Sequence, residues 1–134
     1  MTYEEGRDAI YSIFLAAWGD EWPIAWGGLP AKPPSDEVPW AKVVLKHTDG
    51  RQATLAGEYG TRRFSRSGFV AISIFVPVGG GQTKAYQLAQ MVSNAYTDAR
   101  LDVWFRNIRI NEQGVSGAFE QVDVLSDFSF DEVR

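Results

Sequence analysis

The sequence predicts an α+β domain: one mainly antiparallel β-sheet, two helices packed on one face, and a protruding β-ribbon arm. Three observations predict it. Two segments repeat apolar residues every three or four positions, the mark of a helix with one buried face. Other segments alternate apolar and polar residues, or are apolar throughout, the mark of strands. Between two of those strands lies a charged stretch, residues 48–68, longer than a strand pair needs for its turn. The order is helix, short strand, strand, arm, strand, helix, strand, strand. A single sheet covered on one side satisfies it.

The elements follow in order. Thr2-Tyr3-Glu4-Glu5 is a capping box, in which the threonine hydroxyl accepts from the Glu5 amide and the Glu5 carboxylate reaches back. Behind it Ile10, Ile13, Phe14, Ala17 and Trp18 form one apolar helix face, and Gly19 ends the helix. Residues 21–39 carry Pro23, Pro30, Pro33, Pro34 and Pro39, which exclude helix. Only Ile24-Ala25-Trp26 reads as a short extended piece. In residues 40–47, Ala41, Val43 and Leu45 share one face and Lys42 and Lys46 the other, a half-buried strand. Residues 69–78 are β-branched and aromatic on both faces, with Val70, Ile72, Ile74 and Val76 in phase, which predicts a central strand.

After Gly79-Gly80-Gly81, residues 83–100 place Ala85, Leu88, Ala89, Val92, Tyr96 and Ala99 on one helical stripe. Residues 101–110 read as a strand whose parity shifts near Arg106-Asn107, where an irregularity is expected. Asn111-Glu112-Gln113-Gly114 reads as the turn before a last strand over residues 118–130, with Val122, Val124, Phe128 and Phe130 in phase. No repeat or linker divides the chain, so residues 1–134 form one domain.

Composition narrows the function. The 134 residues are 45% hydrophobic and contain no cysteine. That excludes a disulfide scaffold, a thiol nucleophile and a thiolate metal site. No apolar run approaches the ~20 residues of a membrane span, so a soluble protein made in the cytoplasm and without a membrane partner is expected. Net charge is −4 and unevenly placed. Residues 1–40 are acidic, residues 41–70 are basic through Lys42, Lys46, Arg51, Arg62, Arg63 and Arg66, and the end is acidic again. Basic and acidic faces on one chain suit pairing with copies of itself.

No pattern carries catalysis. The glycine turn 79–81 precedes Lys84 and a helix, but its spacing is not that of a P-loop or a dinucleotide fingerprint. A small phosphate-ligand-binding α+β domain is the alternative it leaves open. His47 is the only histidine and lacks local carboxylate partners other than Asp49, so it reads as structural or solvent-facing. No enzyme activity, cofactor or metal is expected. Trp18 lies on the apolar helix stripe, while Trp22 and Trp26 suit either a core lid or a partner contact. Arg62, Phe64 and Arg66 alternate along one side of an extended segment, with Arg63 and Ser65 opposite. Arg51, Tyr59, Arg62, Arg63, Phe64, Arg66 and Trp26 are therefore the expected contacts to another subunit or partner. A DNA-binding module built on the arm is a further alternative.

A family resemblance covers nearly the whole chain. The opening Met1-Thr2-Tyr3-Glu4-Glu5-Gly6-Arg7-Asp8-Ala9-Ile10 with Ala16-Ala17-Trp18-Gly19 resembles the start of tail terminator (tail-completion) proteins of long-tailed bacteriophages. The likeness continues through Ile24-Ala25-Trp26, Pro39-Trp40-Ala41-Lys42-Val43, Arg62-Arg63-Phe64-Ser65-Arg66-Ser67-Gly68 and Ile74-Phe75-Val76-Pro77-Val78-Gly79. It implies a structural subunit of a hexameric ring on the head-proximal end of the tail tube, where it stops tube polymerisation and joins the tail to the neck. The implied partners are other copies of the chain, the tail tube protein and a head-completion or stopper neck protein, with DNA only passing through the lumen. The implied place is the tail–neck junction of the virion, after assembly in the host cytoplasm. Another head–tail connector ring is the nearest alternative. The family carries no catalytic motif, and the arm contacts rest on the charge and spacing above.

Overall fold

The computed structural model describes residues 2–19, 22–26, 38–52, 63–78, 82–99, 103–116 and 119–133. Helix α1 spans Tyr3–Trp18, strand β1 Ile24–Trp26, β2 Trp40–Gln52, β3 Arg63–Pro77, helix α2 Gln82–Thr97, β4 Trp104–Ser116 and β5 Phe119–Val133. The strands form one sheet in the order β1-β2-β3-β5-β4. Every pairing is antiparallel except that of β1 with β2, so the sheet is mixed.

Both helices cover one face of this sheet. The capping box forms as expected, with the Glu5 amide donating to the Thr2 hydroxyl at 3.1 Å and the Thr2 amide to the Glu5 carboxylate at 3.0 Å. The hydrogen bond from the Thr2 amide, and then the Thr2 hydroxyl, hold the Glu5 carboxyl below its usual range. Gly19 ends α1 at a φ of 76°, a conformation that suits glycine. Ile10, Phe14 and Trp18 from α1 join Ala85, Leu88, Ala89, Val92 and Tyr96 from α2 in one core. The sheet contributes Val43, the β3 row from Val70 to Val76, and Val122, Val124, Phe128 and Phe130. The buried Tyr96 hydroxyl donates to the Ile10 carbonyl at 3.2 Å and ties the two helices together.

The predicted faces of α1, β2, β3, α2 and β5 hold, and three features differ. The first is the arm. Its described residues are extensions of β2 and β3, and those of β3 pair on the far side with β5, through Arg63–Val133, Phe64–Glu132 and Arg66–Phe130. They lie inside a three-stranded sheet, so no protruding two-stranded ribbon is seen; residues 53–62 lie outside the described residues. Added cross-strand pairs on β5 make the strand pair a sheet interior there. Secondly, Asn111-Glu112-Gln113-Gly114 is not a turn. Strand β4 runs through it to Ser116, with a register shift between Glu112 and Gly114 and a φ of 86° at Gly114. A bulge uses a left-handed glycine as a turn does, and the strand goes on. Thirdly, β5 continues to Val133 instead of stopping near Phe130. The irregularity expected near Arg106-Asn107 is present, with Asn107 at a φ of 55° and a register shift between Arg106 and Arg109.

Candidate functional site

The expected interface residues divide between two places. Trp26 sits on the short strand β1, half-buried, with its ring 4.6 Å from Tyr11 and edge-on to Phe14 at 6.3 Å. It packs as a lid on the core. Trp22 does the same beside Trp18, which donates from its indole to the Trp22 carbonyl at 3.3 Å, and Lys84 stands 4.8 Å above the Trp22 ring.

Strands β2, β3 and β5 converge at the other place, beneath the first turn of α1. Parity along β3 puts Phe64 and Arg66 on the helix-covered face with Gly68 and Val70, and Arg63 and Ser65 on the opposite face. Arg66 is 8% exposed. Its guanidinium lies 5.0 Å from the Tyr3 ring and 5.2 Å from the Phe64 ring, and 3.9 Å from the Glu132 carboxylate. Arg63 pairs at 3.7 Å with Asp131 across the strand on the open face. Arg51 pairs by its backbone with Ser65. Tyr59 and Arg62 lie outside the described residues, as does the glycine turn 79–81.

His47 lies beside Arg66 in an aromatic box. Tyr3 meets it edge-on at 4.6 Å, Phe128 at 5.4 Å and Phe130 at 6.0 Å. Its Nε2 is buried without a hydrogen-bond partner. Burial and then the Arg66 charge push its pKa below the usual histidine value, so the neutral form is favoured. The spot therefore holds α1 onto the sheet. Its chemistry is that of packing: a neutral imidazole boxed by rings is neither a ligand nor a poised base.

The other face of the sheet is not covered by the helices. A shallow hollow there is floored by Phe69 and rimmed by Thr48, Ser65, Ser67 and Ser129, with Arg106 and Asp127 at one side. Arg106 reaches the Ser129 hydroxyl at 3.4 Å, while Asp127 accepts from Asn107 at 3.1 Å and pairs with Arg109 at 3.6 Å. The carboxylate that lines the hollow, Asp127, is already held by Asn107 and Arg109, and His47 lies on the covered face. Among the described residues no group of three histidine or acidic side chains is placed to hold a metal. No helix is long and apolar enough to cross a membrane among them either.

A sequence model described as phage tail terminator protein matches residues 7–123. The chain belongs to the phage tail terminator family. Its members are structural proteins of the virion that act on tail components. A solved structure superposes on this one with a TM-score of 0.57, covering 92% of this chain and 94% of the other at 16% identity, a likeness of fold alone. No curated protein sequence matches.

Sequence reasoning missed that Arg66 is buried in its own chain. The signal was available: carrying the Ile74, Ile72, Val70 row back by twos reaches Gly68, Arg66 and Phe64. Charge made the segment look like a surface, but parity puts these residues on the inner face.

Proposed function

We propose that the protein forms a hexameric ring that caps the head-proximal end of the tail tube, stops tube polymerisation and joins the tail to the neck. The family match over residues 7–123 carries this reading. It is supported by a subunit whose sheet is covered by helices on one side only, as a head-to-tail ring contact requires two different surfaces on each copy. In this reading the ring contacts other copies, the tail tube protein and a stopper protein of the neck, while DNA only passes through the lumen. It works at the tail–neck junction after assembly in the host cytoplasm.

The charged stretch that carries Arg51, Tyr59, Arg62, Arg63 and Phe64 is the proposed contact to a neighbour or to the last ring of the tube. Arg66 supports it from beneath by fixing Phe64 and the first turn of α1. Trp26 supports it less directly, by closing the core under β1. The test is electron microscopy of particles made without this gene. Overlong or ragged tubes beside separate filled heads are expected. Tails of normal length that fail only at the head would instead make the protein a connector of the neck, and intact particles would remove it from assembly.

A further inference from the structure

Strand β4 closes the sheet on one side, and among the described residues it pairs with β5 alone. It is long for an edge, Trp104–Ser116, and carries large apolar side chains in the open. Trp104, Ile110 and Val115 are 57%, 40% and 65% exposed. An edge of this length and composition is a template for another strand. Bulges commonly blunt such an edge, and β4 has one on either side of its middle stretch. Their spacing decides what pairs with it.

One extra residue falls between Arg106 and Arg109, where Asn107 has a φ of 55°, and the other is Gln113, between Glu112 and Gly114. Asn107 and Gln113 stand three positions to either side of Ile110. Strand β5 accommodates each extra residue by leaving it without a partner. A second β4, turned end for end about Ile110, sets extra residue against extra residue instead, so pairing stays in step along the whole strand. The faces agree. Their partners on β5 put Phe105, Ile110, Glu112 and Val115 on the helix-covered face, and Trp104, Arg106, Arg109, Asn111 and Gly114 on the open one. Under that rotation Phe105 meets Val115, Ile110 meets its own copy, Arg106 meets Gly114 and Arg109 meets Asn111, each pair on one face. No two charges of like sign stand opposite. Any other offset of two β4 strands leaves extra residues opposite regular ones and puts the faces out of step over part of the strand.

We infer that β4 pairs antiparallel with β4 of a second copy of this chain about a twofold axis at Ile110, joining the two sheets into one. The outer face of α2 flanks the seam: Tyr86 donates to the Glu112 carboxylate, and a shallow hollow is lined by Tyr86, Gln90, Met91 and Asn94. The strand edge alone measures about 40 Å by about 10 Å, half of the ~800 Å² that one partner of a standard interface buries. The α2 ledge widens it, and a dimer that dissociates in the micromolar range is expected. The contact is isologous and closes at two copies, so it belongs to the free chain and not to the head-to-tail contact of a ring. It stands whether or not the ring reading does.

The test is oxidation of single-cysteine variants, with sedimentation and amide exchange of the wild type beside it. The chain has no cysteine of its own. In Ile110→Cys the new thiol faces its own copy with about 5 Å between Cα atoms, within reach of a disulfide. Oxidation should link nearly all of that chain into dimers and nothing larger. Val115 is the more exposed position but lies about 30 Å from its copy, so Val115→Cys should link at least tenfold more slowly. In the wild type, exchange of the amides of residues 105–115 should slow at least tenfold from dilute to concentrated protein, a readout that needs no substitution. Ile110→Lys sets two ammonium groups opposite each other and should abolish that protection while leaving a folded monomer. A wild type that sediments as a monomer at every concentration, or cysteines that link equally well at both positions, would overturn the contact. Larger oligomers without an Ile110 link would overturn it too and leave the ring reading intact. Intact particles in the gene-deletion experiment would overturn the ring reading alone, with this dimer still expected.

Discussion

His47 shows how a single side chain sets the working range of the fold. Tyr3, Phe128 and Phe130 surround it and Arg66 lies beside it, so its folded pKa is depressed. The charged groups facing it are Arg66 and, behind that, Glu132 at 3.9 Å from the guanidinium. Above the ordinary histidine value of about 6.5 both states are neutral and the full stability is present. As pH falls through that value the unfolded chain takes up a proton that the folded chain resists. Stability is therefore lost until the folded pKa is passed. A melting series from about pH 8 to about pH 5 should show Tm falling in the wild type. The fall should be shallower in His47→Phe, which keeps a ring in the box. Equal slopes would mean that the box does not hold the imidazole neutral.

At the scale of elements, the close passage of β2 past β3 depends on Gly68. A Cβ added there would overlap the Lys46 carbonyl oxygen and stand 2.8 Å from the His47 Cα, both backbone atoms that have no room to yield. Gly68→Ala is expected to cost about 3 kcal/mol, read as a lower denaturation midpoint. Gly6→Ala meets only the rim of the Phe130 ring, at 2.7 Å. It also gains about 1 kcal/mol of helix propensity, so its cost should be clearly smaller. The same elements show how far the sequence is legible. Faces are readable because period and parity are geometric: the α1 stripe and the inward rows of β2, β3 and β5 are all in place. Strand ends are not, since Gly114 in a bulge and a glycine in a turn have the same local signature. That β3 is central is readable from its two apolar faces, but that β5 is its second neighbour is not, because it depends on which distant segment arrives, as Glu132 does beside Phe64. The expected contact residues stand out as a charged stretch, but placing Arg66 on the inner face needs parity carried past that charge.

For the whole molecule, the position of Arg66 separates assembly from folding. Reversing Arg62, Arg63 and Arg66 together would place a carboxylate beside Glu132 under the Tyr3 ring, so that triple change acts on the fold as well as on any contact. Arg63→Glu alone confines the change to a side chain that is 58% exposed on the open face. Its melting temperature is expected within about 3 °C of wild type, since surface changes stay near ±0.5 kcal/mol. Complementation with that chain should give tails that fail to join heads. Normal particles from it would dismiss this end of the sheet as a contact.

Strand β5 is encoded last among the strands yet lies between β3 and β4. Synthesis therefore delivers both neighbours before the strand that unites them. A nascent chain that has not reached residue 119 lacks the strand that joins β4 to the rest of the sheet, and its helices have only part of their floor. Acquisition of the native state is thus postponed until translation has passed Val133. A prematurely released fragment has no complete sheet to offer the tail components this family acts on. Quality control of the particle begins, in this sense, in the order in which the ribosome supplies the strands.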